Sequence, residues 1–369
     1  MSGGARTGST SARSSTPAAA LRQPVIGRRW SLLLLALVVL VLLAQVITLP
    51  YVLMRPGPAV DILGSPQEGA PVVTVEDAPT YPTTGSLYFT TVAQYGGPDR
   101  RPSAWDVAAA WVDPSSEIVP ESRVYPAAVS REVVQEENSV AMENSQHGAV
   151  AVALRALGKP VTEKAVVAEV IPEGPAKGVL RKGDVITRVE KTPVTRASQI
   201  TEDIQKLKGP VTLTVTRDGV SSAHTMTPIE RDGRRVVGVL IQPTFSYGLD
   251  VTIHAGDVGG PSAGMMFALG VYDTLTPGSL TGGARIAGTG TLDTSGSVGP
   301  IGGIAQKMVG AHDTGAGFFL APVDNCSQVV GHVPDGLVVT PVATFDEALH
   351  AVEEIGAGRG AALPPCPAS

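Results

Sequence analysis

Aromatic side chains are scarce in this chain of 369 residues, at 4%, while glycine (42) and proline (30) are plentiful. That mix suits short elements joined by many turns and argues against a long coiled coil. Cysteine occurs twice, at Cys326 and Cys366, without the spacing of a zinc site. In an oxidising compartment the two could pair and tie down the C-terminal tail; otherwise they are free thiols, and the sequence does not choose. The net charge of −6 makes no electrostatic case for nucleic acid. Histidines 147, 224, 254, 312, 332 and 350 are scattered, with no metal-ligand spacing. No Gly-x-x-x-x-Gly-Lys-Ser/Thr loop for a nucleotide occurs. No cofactor is therefore expected.

Charge is also missing between Arg29 and Arg55, and Leu32 to Ala44 is an unbroken apolar run. With Val46, Ile47, Leu49 and Tyr51 to Met54 it reaches the roughly 20 residues that span a bilayer. The spacing predicts a transmembrane helix over residues 30–54. A cleaved signal peptide would have an apolar core of about 7–15 residues ending at a small-x-small site, and the run continues without one. Arg6, Arg13, Arg22, Arg28 and Arg29 precede the span, and no acidic residue comes before Asp61. Arginine on the short side keeps that side in the cytoplasm. Residues 1–29 are expected as a disordered cytoplasmic tail, and everything after about residue 55 faces outward from the cell membrane.

Arg55-Pro56-Gly57-Pro58 opens a proline-rich stretch. Leu87 to Val92 reads as a strand, and Ala104 to Val112 and Ala127 to Leu157 as helices. With no chemistry visible, residues 55–159 are expected as a linker and adaptor. From about 160 the texture changes: Val166 to Ile171, Val185 to Val189 and Val211 to Val215 read as strands, and Thr195 to Lys208 as a helix. The run VIPEGPAKGVLRKGDVITRVEKTPVT resembles a PDZ domain, which implies residues 160–232 as a small β-rich fold with two helices. The resemblance also implies that an extended peptide adds to a sheet edge, or that the fold serves as a rigid spacer. Its carboxylate-binding loop is not clear here.

Gly259-Gly260-Pro261-Ser262-Ala263-Gly264 is a loop of small residues leading into the apolar run Met265 to Gly270. Small neighbours let a substrate backbone approach a serine. A helix start aims free N–H groups at the space above it, as an acyl-transfer oxyanion requires. A second Gly-gated segment, Gly299-Pro300-Ile301-Gly302-Gly303-Ile304, leads into a helix carrying Lys307 on the face of Ile304 and Met308. A lysine held among apolar groups loses hydration, which lowers its pKa. Bringing it from about 10.4 to near 7.5 would cost roughly 4 kcal/mol and would free the amine as a general base.

Together these segments resemble the proteolytic domain of Lon proteases, the Ser-Lys peptidases. The family signature Pro-Ser-Ala-Gly stands at Pro261 to Gly264. A Pro-Ile-Gly-Gly turn at Pro300 to Gly303 precedes the lysine, Lys307. The intervening Thr-Gly turn is Thr289-Gly290, and AGFFLAPVDN looks like the closing strand with its Pro-x-x-Asn turn, Pro322 to Asn325. The resemblance covers residues 236–355 and leaves 356–369 as a tail. It implies an α/β proteolytic fold, Ser262 as nucleophile, Lys307 as base, Thr289 orienting the amine, polypeptide substrates, and a homo-oligomer, a hexamer by analogy. One departure is Gly259, where those enzymes carry an acidic residue; Asp257 lies two further upstream.

The fold class expected is thus mixed α+β and α/β: a transmembrane helix, a PDZ domain and a Lon-type domain. The function expected is an ATP-independent, membrane-anchored serine endopeptidase cleaving exposed segments of exported or membrane proteins. Two other readings exist. Gly260-x-Ser262-x-Gly264 satisfies the nucleophile elbow of α/β-hydrolases, with Asp335 and His350 as formal partners, but that leaves Lys307 and Thr289 without a role. His254 is a candidate subsite residue. The second is a PDZ scaffold at the outer membrane face with an inactive protease domain.

Overall fold

Residues expected to finish a membrane helix instead open the central sheet of the computed structural model, which describes residues 28–64, 71–125, 130–231 and 233–367. Helix α1 runs Arg28–Val46, not to Met54. Pro50 disfavours helical geometry at Leu49 before it, and Tyr51–Asp61 forms strand β1, in which Val52 and Leu53 are fully buried. The continuous apolar run is thus divided between two environments. Among the described residues, no helix is long and apolar enough to cross a membrane. The expected tail falls mostly outside the described residues, as do the first positions of the helix anticipated from Ala127.

The sheet has the order β13–β12–β11–β3–β1–β4, its strands being β3 (Ser86–Gly96), β4 (Glu117–Pro120), β11 (Arg285–Gly288), β12 (Phe318–Pro322) and β13 (Val338–Val342). β3, β11, β12 and β13 are parallel, and β1 is antiparallel to β3 and β4. Side chains alternate across it, as the pleat requires. Leu87, Phe89, Ile286 and Leu320 face one core with helices α3 (Arg131–Ala156), α5 (Gly264–Thr274) and α7 (Phe345–Gly356). Tyr88, Ala287, Phe319 and Ala321 face the other with α6 (Ile304–Asp313). Each parallel strand is apolar on both faces because helices cover both.

The expected linker of residues 55–159 is therefore part of this fold. It supplies β1, β3 and β4, strand β2 (Val73–Glu76), helix α2 (Ala104–Val112) and α3. A strand as apolar as Leu87-Tyr88-Phe89 needs neighbours on both edges, and it finds β1 and β11. The second unit interrupts the first. Strands β5 (Val161–Val170), β6 (Val185–Val189), β7 (Val211–Arg217), β8 (Val220–Met226) and β9 (Val239–Tyr247) order as β9–β5–β6–β7–β8. Helix α4 (Ala197–Lys206) closes a separate core of Val167, Ile186, Ile200, Ile204 and Leu213. β9 belongs to this sheet, pairing from Val239↔Val170 to Tyr247↔Val161. β10 (Asp250–Ile253) then returns the chain, pairing with β2.

One buried carboxylate joins the two units. Glu163 on β5 accepts hydrogen bonds from Arg155 at the end of α3 (2.8 Å), from the Ala197 N–H that starts α4 (2.8 Å), and from Thr294 (3.3 Å). Arg155 also donates to the Thr294 carbonyl at 2.7 Å.

Candidate active site

α5 is apolar on every side, with Met265, Met266, Phe267, Ala268 and Leu269 fully buried, as a helix through the middle of a core must be. Phe267 meets Phe89 edge to face, ring centroids 5.2 Å apart. This places the preceding loop, and Ser262 with it, beside Thr289 and Gly290 at the carboxyl end of β11, the end at which open α/β sheets build their sites.

α3 and the turn after β11 shape that loop. Gly260, at φ +87°, donates its N–H to the Asn138 carbonyl at 2.8 Å. Ser145 donates to the Pro261 carbonyl at 3.1 Å. A Cβ on Gly264 would lie 2.7 Å from Ser145 Oγ and 3.2 Å from Leu292, so only glycine lets the helix start this close to α3. From the other side, the Ser262 carbonyl accepts from the Gly290 N–H (2.8 Å) and the Thr289 hydroxyl (2.9 Å). Ser262 itself is half-buried and reachable.

Lys307 arrives from the opposite face of the sheet. Gly303 caps α6 at φ +69°, and a side chain there would strike Val92 of β3 at 2.7 Å. Asn325 braces the turn, its Oδ1 accepting from the Ile301 N–H and its Nδ2 donating to the Ile301 carbonyl, each at 2.9 Å. With Ile304 and Met308 packed beneath, Lys307 is 3% exposed. Its Nζ lies 2.7 Å from Ser262 Oγ and 2.9 Å from Thr289 Oγ1. Burial lowers its pKa from 10.5 to about 8, because the charged form loses its water.

The structure thus brings Ser262, Lys307 and Thr289 into one hydrogen-bonded group. As an ammonium, Lys307 donates to both hydroxyls. Once it loses a proton the contact with Ser262 can reverse, the hydroxyl donating to the free lone pair, and that is the geometry for activating a serine. Thr289 accepts from the amine and donates to the Ser262 carbonyl, fixing the distance between the two segments.

The remaining candidates lie elsewhere. His254 and Asp257 are exposed on the loop, and Gly259 packs 3.0 Å, at its would-be Cβ, from Asn138. Loop order comes from α3, not from an acidic residue. Asp335 and His350 are exposed, on the loop before β13 and on α7; the partner that Ser262 Oγ finds is Lys307. Sequence reasoning missed Asn138 and Ser145, which lie more than a hundred residues from the loop they hold and carry no local signal. A cleft of about 600 Å³ between α3 and β9–β10 is lined by Glu143, Asn144, His147, Tyr247, Asp250 and Thr252. Cys326 and Cys366 form a disulfide, which ties the tail to the residue following Asn325.

Comparison with known proteins matches residues 139–226 to the PDZ domain family. Residues 234–353 match the Lon protease (S16) C-terminal proteolytic domain. Lon protease 1 of Bacillus subtilis is 32% identical over 116 residues, covering 30% of this chain and 15% of that protein. Lon protease 1 of Sorangium cellulosum is 39% identical over 107 residues, covering 27% and 13%. The chain thus spans less than a sixth of the length of these relatives. Among solved structures, the PDZ domain of the SdrC-like protein from Listeria monocytogenes aligns at 21% identity over 21% of this chain and 85% of that one, with a TM-score of 0.20. The chain thus joins a segment that matches the PDZ domain family to one that matches the proteolytic domain of Lon proteases.

Proposed function

We propose that this protein is a membrane-anchored endopeptidase in which Lys307, as a neutral amine, takes the proton of Ser262. The serine oxygen then attacks a peptide carbonyl, the amine side of the bond leaves with the proton from Lys307, and water hydrolyses the acyl-enzyme. Backbone N–H groups at the start of α5 would hold the oxyanion. The observation that carries this reading is the 2.7 Å contact of a buried lysine amine with Ser262 Oγ. Thr289 would keep the amine aimed.

Polypeptide substrates follow from the domain pair. β9 is the end strand of its sheet's hydrogen-bonded order, with β5 beside it, which supports capture of an extended segment by strand addition. With no nucleotide-binding loop in the sequence, the substrates proposed are exposed or flexible segments of exported or membrane proteins. The anchor proposed is the uncharged run that follows Arg29, of which α1 forms the greater part; α1 alone falls short of a span, and Ile47 to Leu49 after it bring the run to the roughly 20 residues that cross a bilayer. Arg6, Arg13 and Arg22 before α1, with Arg28 and Arg29 in its first turn, support a cytoplasmic N-terminus. The Cys326–Cys366 disulfide supports an oxidising, extracytoplasmic side for the rest. A homo-oligomer, a hexamer as in Lon relatives, is proposed by analogy.

The test follows cleavage of an unstructured protein across pH by the wild type, Ser262→Ala and Lys307→Ala, without nucleotide. Loss of activity in both variants, with wild-type activity rising through about pH 8, supports the dyad. An inert wild type whose Ser262 is never labelled by a serine-directed acylating probe favours the inactive PDZ scaffold instead.

A further inference from the structure

Helix α2 carries an apolar face that none of the described residues covers. Trp105, Ala108, Ala109 and Val112 share one side at i, i+3, i+4 and i+7, all of them exposed, with Trp111 beside them. Trp105 is 49%, Trp111 81% and Val112 73% exposed. Single exposed apolar residues are ordinary, but a contiguous patch holding two tryptophans on a nine-residue helix marks a contact surface. Its one charged residue, Asp106, is turned back to accept from the Ser103 N–H (2.9 Å) and hydroxyl (2.7 Å) in a capping box.

The position of α2 is as telling as its composition. Its N-terminus is stitched to the segment that leaves α1: Ala104 N–H donates to the Ile47 carbonyl at 2.8 Å, Leu49 N–H donates to the Pro102 carbonyl at 2.9 Å, and Thr48 bridges Ser103. The exposed apolar surface of α1, from Trp30 to Val46, continues through Ile47 and so passes into that of α2 across a few backbone bonds. If α1 is the membrane anchor, a reading on which this inference rests, the level at which it leaves the bilayer is also the level of α2. Tryptophan, apolar in its ring and polar at its N–H, is favoured at that depth.

We propose that α2 is an interfacial helix lying on the outer lipid surface beside the anchor, with Trp105 and Trp111 seated at the headgroup boundary. It would fix the orientation of the proteolytic domain relative to the membrane, because β1 and β4 flank the same junction: the Glu121 N–H just after β4 donates to the Pro50 carbonyl just before β1, at 3.0 Å.

The chain has three tryptophans, the third being Trp30, so Trp30→Phe leaves only α2 to report. The full chain carrying this change is reconstituted into phosphatidylcholine vesicles containing lipids brominated at shallow or deep acyl positions. The expected result is emission blue-shifted from that of the urea-unfolded chain and quenched severalfold, more by shallow than by deep bromine. Emission like that of the unfolded chain, with no quenching, overturns the proposal. So does blue-shifted but unquenched emission in a Trp30→Phe/Trp105→Cys chain that cross-links as a dimer, which would mean that a second copy covers the face. The complementary Trp105→Phe/Trp111→Phe chain tests the anchor. Quenching of Trp30 with none at α2 sinks only the interfacial helix, whereas Trp30 quenched by no lipid overturns the anchor and this placement together.

Discussion

Replacing Lys307 with methionine should change the stability of the protein in a way that depends on pH, with a sign and size set by burial. The fall of the amine's pKa from 10.5 to about 8 corresponds to about 3 kcal/mol of disfavoured charge. Below pH 8 both the folded and the unfolded chain hold the proton, and the folded chain holds it at that full loss. Between pH 8 and 10.5 the unfolded chain binds more protons than the folded one, so wild-type stability from this group rises with pH. Methionine keeps the length and removes the charge. It also loses the two hydrogen bonds to Ser262 and Thr289, at about 1 kcal/mol each, an offset that varies far less with pH. The stability of Lys307→Met relative to wild type should therefore fall by about 2.5 kcal/mol between pH 6 and pH 10. Urea unfolding of both full chains in the same non-ionic detergent, followed by circular dichroism at a series of pH values, measures this directly. Other titrating groups cancel in the difference. A difference that stays flat across that range would refute the idea that burial depresses this lysine, and with it the basis for a neutral amine near pH 8.

If the neutral amine is the base, kcat/KM should be about a tenth of its plateau at pH 7 and half of it near pH 8; a profile flat from pH 6 to 9 would exclude Lys307 from that role. Thr289→Val should lower kcat about tenfold or more by removing the partner of the amine, and Thr289→Ser should recover most of it in the same assay. Gly264→Ala forces a methyl against Ser145 and Leu292 and should destabilise the fold by roughly 1–3 kcal/mol, visible as a lowered urea midpoint. Replacing both Cys326 and Cys366 with alanine opens a 40-residue loop and should cost up to about 4 kcal/mol; an unchanged midpoint would show that the tail contributes nothing.

Local chemistry by itself determined much of the site. Pro261-Ser262-Ala263-Gly264 and Pro300 to Gly303 are legible because glycine and proline write backbone geometry directly into sequence: Gly260 and Gly303 take the positive φ their turns need. The burial of Lys307 was readable from Ile304 and Met308 on its own helix face. Helix α2 was found to the residue because its apolar run is short and bounded. The tertiary structure alone decided where the apolar run after Arg29 ends: Val52 and Leu53 are as hydrophobic as any membrane segment, and only their pairing with β3 and β4 makes them sheet. It alone showed that strands from residues 51–120 share a sheet with those of residues 285–342 around an inserted second unit, since parallel strands such as β3 and β11 meet across nearly two hundred residues. Asn138 and Ser145 grip the serine loop by the same long-range closure, and the disulfide needed two distant cysteines brought together. Sequence encodes turns and burial through near neighbours, whereas the partners across a sheet, and the helix that holds a loop from a hundred residues away, are chosen only when the core closes.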